Sequence, residues 1–145
     1  MATRAIIRLA EREEGVTFSE HPDAIHTQIY HHYDGYPEYL GVRLSEYLRD
    51  FKVVNGIGPK DEEQKLANGL GCLSAQIVSE FKSGPGSVYV DQHGTKRGDL
   101  DYIYYVWATE GKDIWISIFD AWDDQCLFVG GPQKLINKYK EKTDD

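Results

Sequence analysis

DYIYYVWATEGKDIWISIFDAWDDQCLFV, residues 101–129, is the stretch from which the rest of the chain can be read. It holds three runs rich in aromatic and β-branched residues, 101–108, 114–120 and 125–129, parted by the polar turns EGKD and AWDD. Runs of that composition form strands, and turns this short join antiparallel neighbours. Just upstream, 87–92 reads as another strand, and HGTKRG (93–98) between it and 101–108 reads as a hairpin tip. Downstream, Gly131-Pro132 opens a helix over 132–140 with Leu135, Ile136 and Tyr139 inward. A frayed tail is expected over 141–145.

Working back to the N-terminus, 3–10 (TRAIIRLA) reads as a strand, 11–15 as a charged turn, and the run on to residue 23 as an exposed loop or short hairpin arm. Residues 24–33 alternate. Ile25, Thr27, Ile29, His31 and Tyr33 fall on one face, and His26, Gln28, Tyr30 and His32 on the other. The two isoleucines turn the first set to the core, so Tyr30 and His32 share a face that is either wet or covered. Leu40, Leu44, Tyr47, Leu48 and Phe51 make the apolar stripe of a helix over 38–51. Residues 53–60, with Asn55-Gly56 and Gly58-Pro59, read as a loop. Asp61 then serves as an N-cap, with Gln64 at the capping-box position. Leu66, Leu70, Leu73, Ile77 and Phe81 continue at helical spacing to Ser83-Gly84-Pro85-Gly86. The order ββ–αα–ββββ–α predicts an α+β fold: a mostly antiparallel sheet of about six strands with helices packed chiefly on one face. At 145 residues a single domain is expected over 1–145.

Composition narrows the function. Hydrophobic residues are 41% of the chain and aromatics 12%, with ten tyrosines against five phenylalanines. Tyrosine joins apolar area to a polar tip and suits binding surfaces. A net charge of −8 argues against nonspecific nucleic-acid binding, which depends on neutralising phosphates with Lys and Arg. It argues equally against an anionic membrane surface. No segment approaches the roughly 20 apolar residues of a membrane span, and no signal pattern opens the chain, so a cytoplasmic location is expected. Cys72 and Cys126 stand far apart and outside any metal-type pair, so buried thiols are expected. No metal site and no cofactor are expected. His26, His32 and Asp34 would share a face only if the strand ran straight through Tyr33. The acids of 120–124 read as a solvated turn or, less often, a divalent-cation loop.

The densest chemistry lies in Ile29-Tyr30-His31-His32-Tyr33-Asp34-Gly35-Tyr36-Pro37. Gly35 offers a position open to positive φ and Pro37 sets the next turn, which holds Tyr36 at a corner. The helix after Pro37 turns its unpaired N–H groups towards this motif. They can form an anion pocket, or be used up by Asp34 or Glu38 as ordinary caps. His32 and Asp34, two apart, have the spacing of an acid–base pair. Lys96 and Arg97 in the HGTKRG loop suit phosphate contact.

The same motif, with Met1-Ala2-Thr3-Arg4 before it and Asp101-Tyr102-Ile103-Tyr104-Tyr105 after, resembles a family of small uncharacterised proteins found mostly in bacteriophages and their hosts. The family pattern is M-[AG]-T-R followed by I-Y-x-H-[aromatic]-D-G-Y-P. Tyr33 stands where the family often has Trp, and residues 11–23 lengthen the first connection. The resemblance implies a phage setting, hence a host cytoplasm, and leaves the chemistry open.

Together these readings predict a non-catalytic phage accessory protein that binds a small anionic ligand. A nucleotide-derived signal of a host defence system, held by sequestration, is the ligand favoured. The expected ligand residues are Arg4, Tyr30, His32, Asp34, Gly35, Tyr36, Lys96 and Arg97, with a homo-oligomer as the expected assembly. Two alternatives stand beside it. One is a small nucleotide hydrolase using His32 and Asp34. The other is an acidic inhibitor docking on a host nuclease or defence protein.

Overall fold

The computed structural model describes residues 2–13, 15, 17–58 and 65–140. Its strands are β1 (Ala5–Ala10), β2 (Thr27–His31), β3 (Lys52–Val54), β4 (Leu66–Asn68), β5 (Val88–Val90), β6 (Tyr102–Trp107), β7 (Trp115–Asp120) and β8 (Cys126–Gly130). Its helices are α1 (Val42–Leu48), α2 (Gly69–Phe81) and α3 (Pro132–Tyr139), and a π-helical turn at Pro37–Gly41 leads into α1. Six strands form one sheet in the order β5-β2-β1-β6-β7-β8. Every neighbouring pair is antiparallel except β1–β6. The expected α+β sheet with helices on one face is the architecture observed.

Alternation along the strands builds two different faces. On one, Ala5, Ile7, Leu9, Ile29, Tyr104, Val106, Ile116 and Ile118 meet Leu40, Leu44 and Leu48, Leu73 and Ile77 of α2, and Leu135 of α3. These side chains are nearly all fully buried, the leucines, isoleucines and valine each contributing about 1.5–3 kcal/mol by leaving water. Among the described residues the far face carries no helix. The segment between β1 and β2 folds across it, and Phe18 rests on Trp107 and Trp115 with ring centroids 5.0 and 5.2 Å apart. Fully buried Trp107 donates its indole N–H to Ser117 Oγ at 2.8 Å.

Several local expectations give way to tertiary contacts. The 93–98 loop is not a hairpin tip. β5 pairs with β2 at the sheet edge, Tyr89 opposite Tyr30, while β6 lies beyond β1. The connection therefore crosses β2 and β1 on the far face, anchored by Leu100, which is buried with Ile6 and Tyr30. Lys52–Val54, partly within the expected loop, instead pairs in parallel with Leu66–Asn68, and Ala67 is fully buried by that pairing. The helix expected to begin at Asp61 starts at Gly69; Asp61 and Gln64, like the tail over 141–145, lie outside the described residues. The helix expected over 38–51 is a π-turn followed by the shorter α1. Pro37 lacks an N–H, and Val42 N–H reaches its carbonyl across the wide turn. Both cysteines are half-buried rather than buried.

Gly35 also departs from expectation. The left-handed residue is Asp34, at φ 56°, and Gly35 is not at positive φ. Glycine is needed there for space: a Cβ would lie 2.6 Å from Ala5 Cβ and 3.0 Å from the Thr3 carbonyl. The backbones are this close because Gly35 N–H donates to Thr3 O at 2.9 Å, while Tyr104 O–H donates to Gly35 O at 2.7 Å.

Candidate functional site

β1 reads AIIRLA, a single charge inside an apolar strand. Alternation sends Arg8 to the far face, where register sets it directly between Gln28 of β2 and Tyr105 of β6. Arg8 Nε donates to Gln28 Oε1 at 2.9 Å and Nη1 donates to Tyr105 Oη at 3.1 Å. Gln28 Nε2 donates in turn to Asp91 Oδ2 at 2.6 Å and to Thr95 O at 3.3 Å. Asp91, its side chain only 5% exposed, takes both prongs of Arg97, at 2.9 and 2.6 Å. The Arg97 hydrogen bonds hold the Asp91 carboxyl below its usual range despite the opposing effect of burial.

Away from Asp91, Arg97 lies 3.6 Å above the Tyr30 ring. Tyr30 Oη is 2.9 Å from His32 Nδ1. Burial pushes the Tyr30 phenol up, with Arg4 and Arg97 pulling the other way. On the opposite flank, Tyr105 Oη meets His21 Nδ1, and His21 Nε2 lies 2.6 Å from Asp124 Oδ1. Arginine can only donate, so Tyr105 Oη accepts from Arg8, while His21 bridges Tyr105 and Asp124 through its two ring nitrogens. Both nitrogens of that imidazole are thereby occupied.

A cavity of about 500 Å³ opens over this network, between the entry to β2 and the crossover. Arg8 and Gln28 form its floor; Ile25, His26 and Asp23 stand on one side, and Val90, His93, Thr95 and Lys96 on the other. The charge balance at the floor is unusual. Asp91 is satisfied by Arg97 and the acid nearest Tyr105 is held by His21, so half-buried Arg8 has an amide and a phenol as partners and no carboxylate among the described residues. Arg8, Arg97 and Asp91 together leave one net positive charge on a half-buried network of an acidic protein. An adjoining cavity of about 490 Å³ shares Asp23, Ile25 and His26 but is lined by Glu11, Glu13, Glu20, His21 and Trp107. Cation and anion character are thus divided between two neighbouring spaces.

The structure scatters the residues expected to bind ligand. Tyr30, His32 and Arg97 do lie together on the far face, with Arg4 close enough to act on the Tyr30 phenol. Arg97 covers Tyr30, which is 5% exposed, and Arg4 pairs with Asp99 at 3.6 Å. Lys96 is elsewhere, on the wall of the Arg8 cavity. Gly35 sits against Ala5 on the helical side, and Tyr36 points outward beside Tyr39 at 6.2 Å. Asp34 is exposed at the turn. Among the described residues no hydrogen bond or ion pair joins it to His32, whose Nδ1 faces Tyr30 instead. The described residues contain no group of three or more His, Cys, Asp or Glu placed to hold a metal ion, and no helix long and apolar enough to cross a membrane. Sequence reasoning missed Arg8, Asp91 and the cavity itself. The available signal was the arginine in AIIRLA, on a strand where every other position is buried. In comparisons with family models, curated proteins and solved structures, nothing matches this chain.

Proposed function

We propose that the chain binds a small phosphate-bearing ligand in the far-face cavity and holds it without cleaving it. The observation that carries this reading is Arg8: a half-buried guanidinium with no carboxylate partner among the described residues, on the floor of a cavity of about 500 Å³. A volume of that order suits a ligand the size of a nucleotide. Lys96 adds a second cation on the wall, and Ile25 and Val90 offer apolar surface for a base or sugar. Both His21 nitrogens are engaged and His32 is tied to Tyr30, so the expected His32–Asp34 pair is not set up beside Arg8, and a hydrolase would have to draw its base from His26 or His93 on the cavity walls. The resemblance to phage proteins supports the narrower form, in which the ligand is a nucleotide-derived host defence signal.

Calorimetry with a panel of nucleoside phosphates tests the reading. Arg8→Gln should weaken binding by about 1.5–3 kcal/mol, the scale of a charge-assisted hydrogen bond, and Lys96→Gln by less. Mass spectrometry after heat denaturation should return the ligand intact. Unchanged affinity in Arg8→Gln removes the cavity as the site, and recovery of a cleaved product turns the reading to the hydrolase.

One observation favours the protein-partner alternative. Trp122 is 77% exposed yet pinned, its N–H groups donating to Asp101 Oδ1 at 3.0 Å and Asp120 Oδ1 at 2.8 Å. A fixed indole among acids is a surface on which a basic partner can dock. Trp122→Ala should then abolish capture of that partner and leave nucleotide binding intact.

A further inference from the structure

Resting on the reading of the Arg8 cavity as an anion site, we infer that its ligand carries a terminal phosphomonoester rather than a phosphodiester. Arginine has five N–H donors. Gln28 and Tyr105 take one from Nε and one from Nη1. The other three, one on Nη1 and two on Nη2, have no partner among the described residues. They occupy the outer end of the fork, the edge that grips two oxygens of one phosphate or carboxylate. A carboxylate answers only one charge. The site has two unanswered cations, Arg8 on the floor and Lys96 on the wall, because Asp91 is already committed to Arg97. Asp23, the one other acid lining the cavity, is exposed, as is Lys96, and water screens both more than it screens half-buried Arg8. A phosphomonoester above its second ionisation is a dianion and balances the pair; a diester remains a monoanion.

Shape agrees with charge. Arg8 projects from a central strand, and the cavity walls rise on both sides of it, from the entry to β2 and from the crossover. A terminal phosphate enters such a slot end-on and presents three free oxygens. A diester carries a carbon substituent on each flank and offers only two.

The test compares a nucleoside monophosphate with its phosphate methyl ester by calorimetry, on the intact protein, at about pH 7.5 and about pH 5.5. The monoester should bind at least tenfold more tightly than the methyl ester at the higher pH. Its second pKa is near 6, so the dianion fraction falls about fourfold between those pH values, and the preference should shrink by that factor. His26 and His93 also line the cavity, and a charged imidazole there would favour the dianion over the methyl ester, so the comparison is repeated in His26→Gln/His93→Gln, where the preference should still shrink. Arg8→Gln should reduce the preference to near unity, and Arg8→Lys, which keeps the charge without the fork, should restore part of it. Equal binding of both ligands, or a preference independent of pH, overturns the monoester inference and leaves the anion site standing. Failure of both ligands and of inorganic phosphate to bind overturns the anion site itself.

Discussion

Acidification should destabilise this protein through one residue, His31. Its ring lies on the helical side of β2, 5% exposed, edge-on to Phe81 with centroids 5.4 Å apart. Its Nε2 is buried with no hydrogen-bond partner among the described residues. Burial, helped by the Arg43 guanidinium, pulls its pKa down to about 4. In the unfolded chain it titrates near 6.5. Between those values the unfolded state binds the proton and the folded state does not. The stability contribution is therefore complete above about pH 6.5 and is lost as pH falls towards 4. A gap of about 2.5 pKa units corresponds to about 3 kcal/mol, of which about 2 kcal/mol should be gone by roughly pH 4.5. Asp91, whose pKa is also lowered, acts in a more acid range, so the two effects separate. Urea unfolding at neutral pH and at roughly pH 4.5 measures the loss. His31→Phe keeps an aromatic ring against Phe81 and removes the titration. Its stability should change little across that window, and equal acid losses in both proteins would refute the argument.

Three further outcomes follow from local geometry. Gly35→Ala should cost about 1–3 kcal/mol in chemical denaturation, because the new methyl meets Ala5 Cβ at 2.6 Å within a backbone pair that cannot part without losing hydrogen bonds. Asp34→Gly, one residue earlier, should be neutral or stabilising, since it relieves the left-handed φ of 56°; the opposite order of the two variants would restore the conformational explanation for Gly35. Ser117→Ala should cost about 1–3 kcal/mol and shift tryptophan fluorescence, because it strands the buried Trp107 N–H.

Reading the chain locally reached some of these features and not others. The faces of β2 follow from its alternation: Ile29 in the helical core, Tyr30 on the far side, His32 bonded to Tyr30. Even so, the same nine residues that look like one site are divided by the sheet. Tyr30 and His32 stay on the far face while Gly35 and Pro37 pass to the helical one, because a chain leaving the end of β2 must cross the sheet to begin the π-turn. Arg97 lies over Tyr30, as a lid on the ring rather than as a free cation. Its companion Asp91, six residues away, takes its charge.

The sequence by itself determined what depends on neighbours along the chain: the strands of 102–130, the amphipathic helices, and the apolar side of each strand. These follow from side-chain period and turn chemistry, which act over a few residues. Tertiary structure alone decided which strands meet. The parallel pairing of β1 with β6 joins Arg8 to Tyr105, 97 residues apart, and the placement of β5 beside β2 carries Asp91 over Gln28. No local pattern encodes those adjacencies, because they are set by which complete sheet buries the most apolar surface while satisfying its backbone. The Arg8 cavity is made of them. It exists only once both pairings have formed.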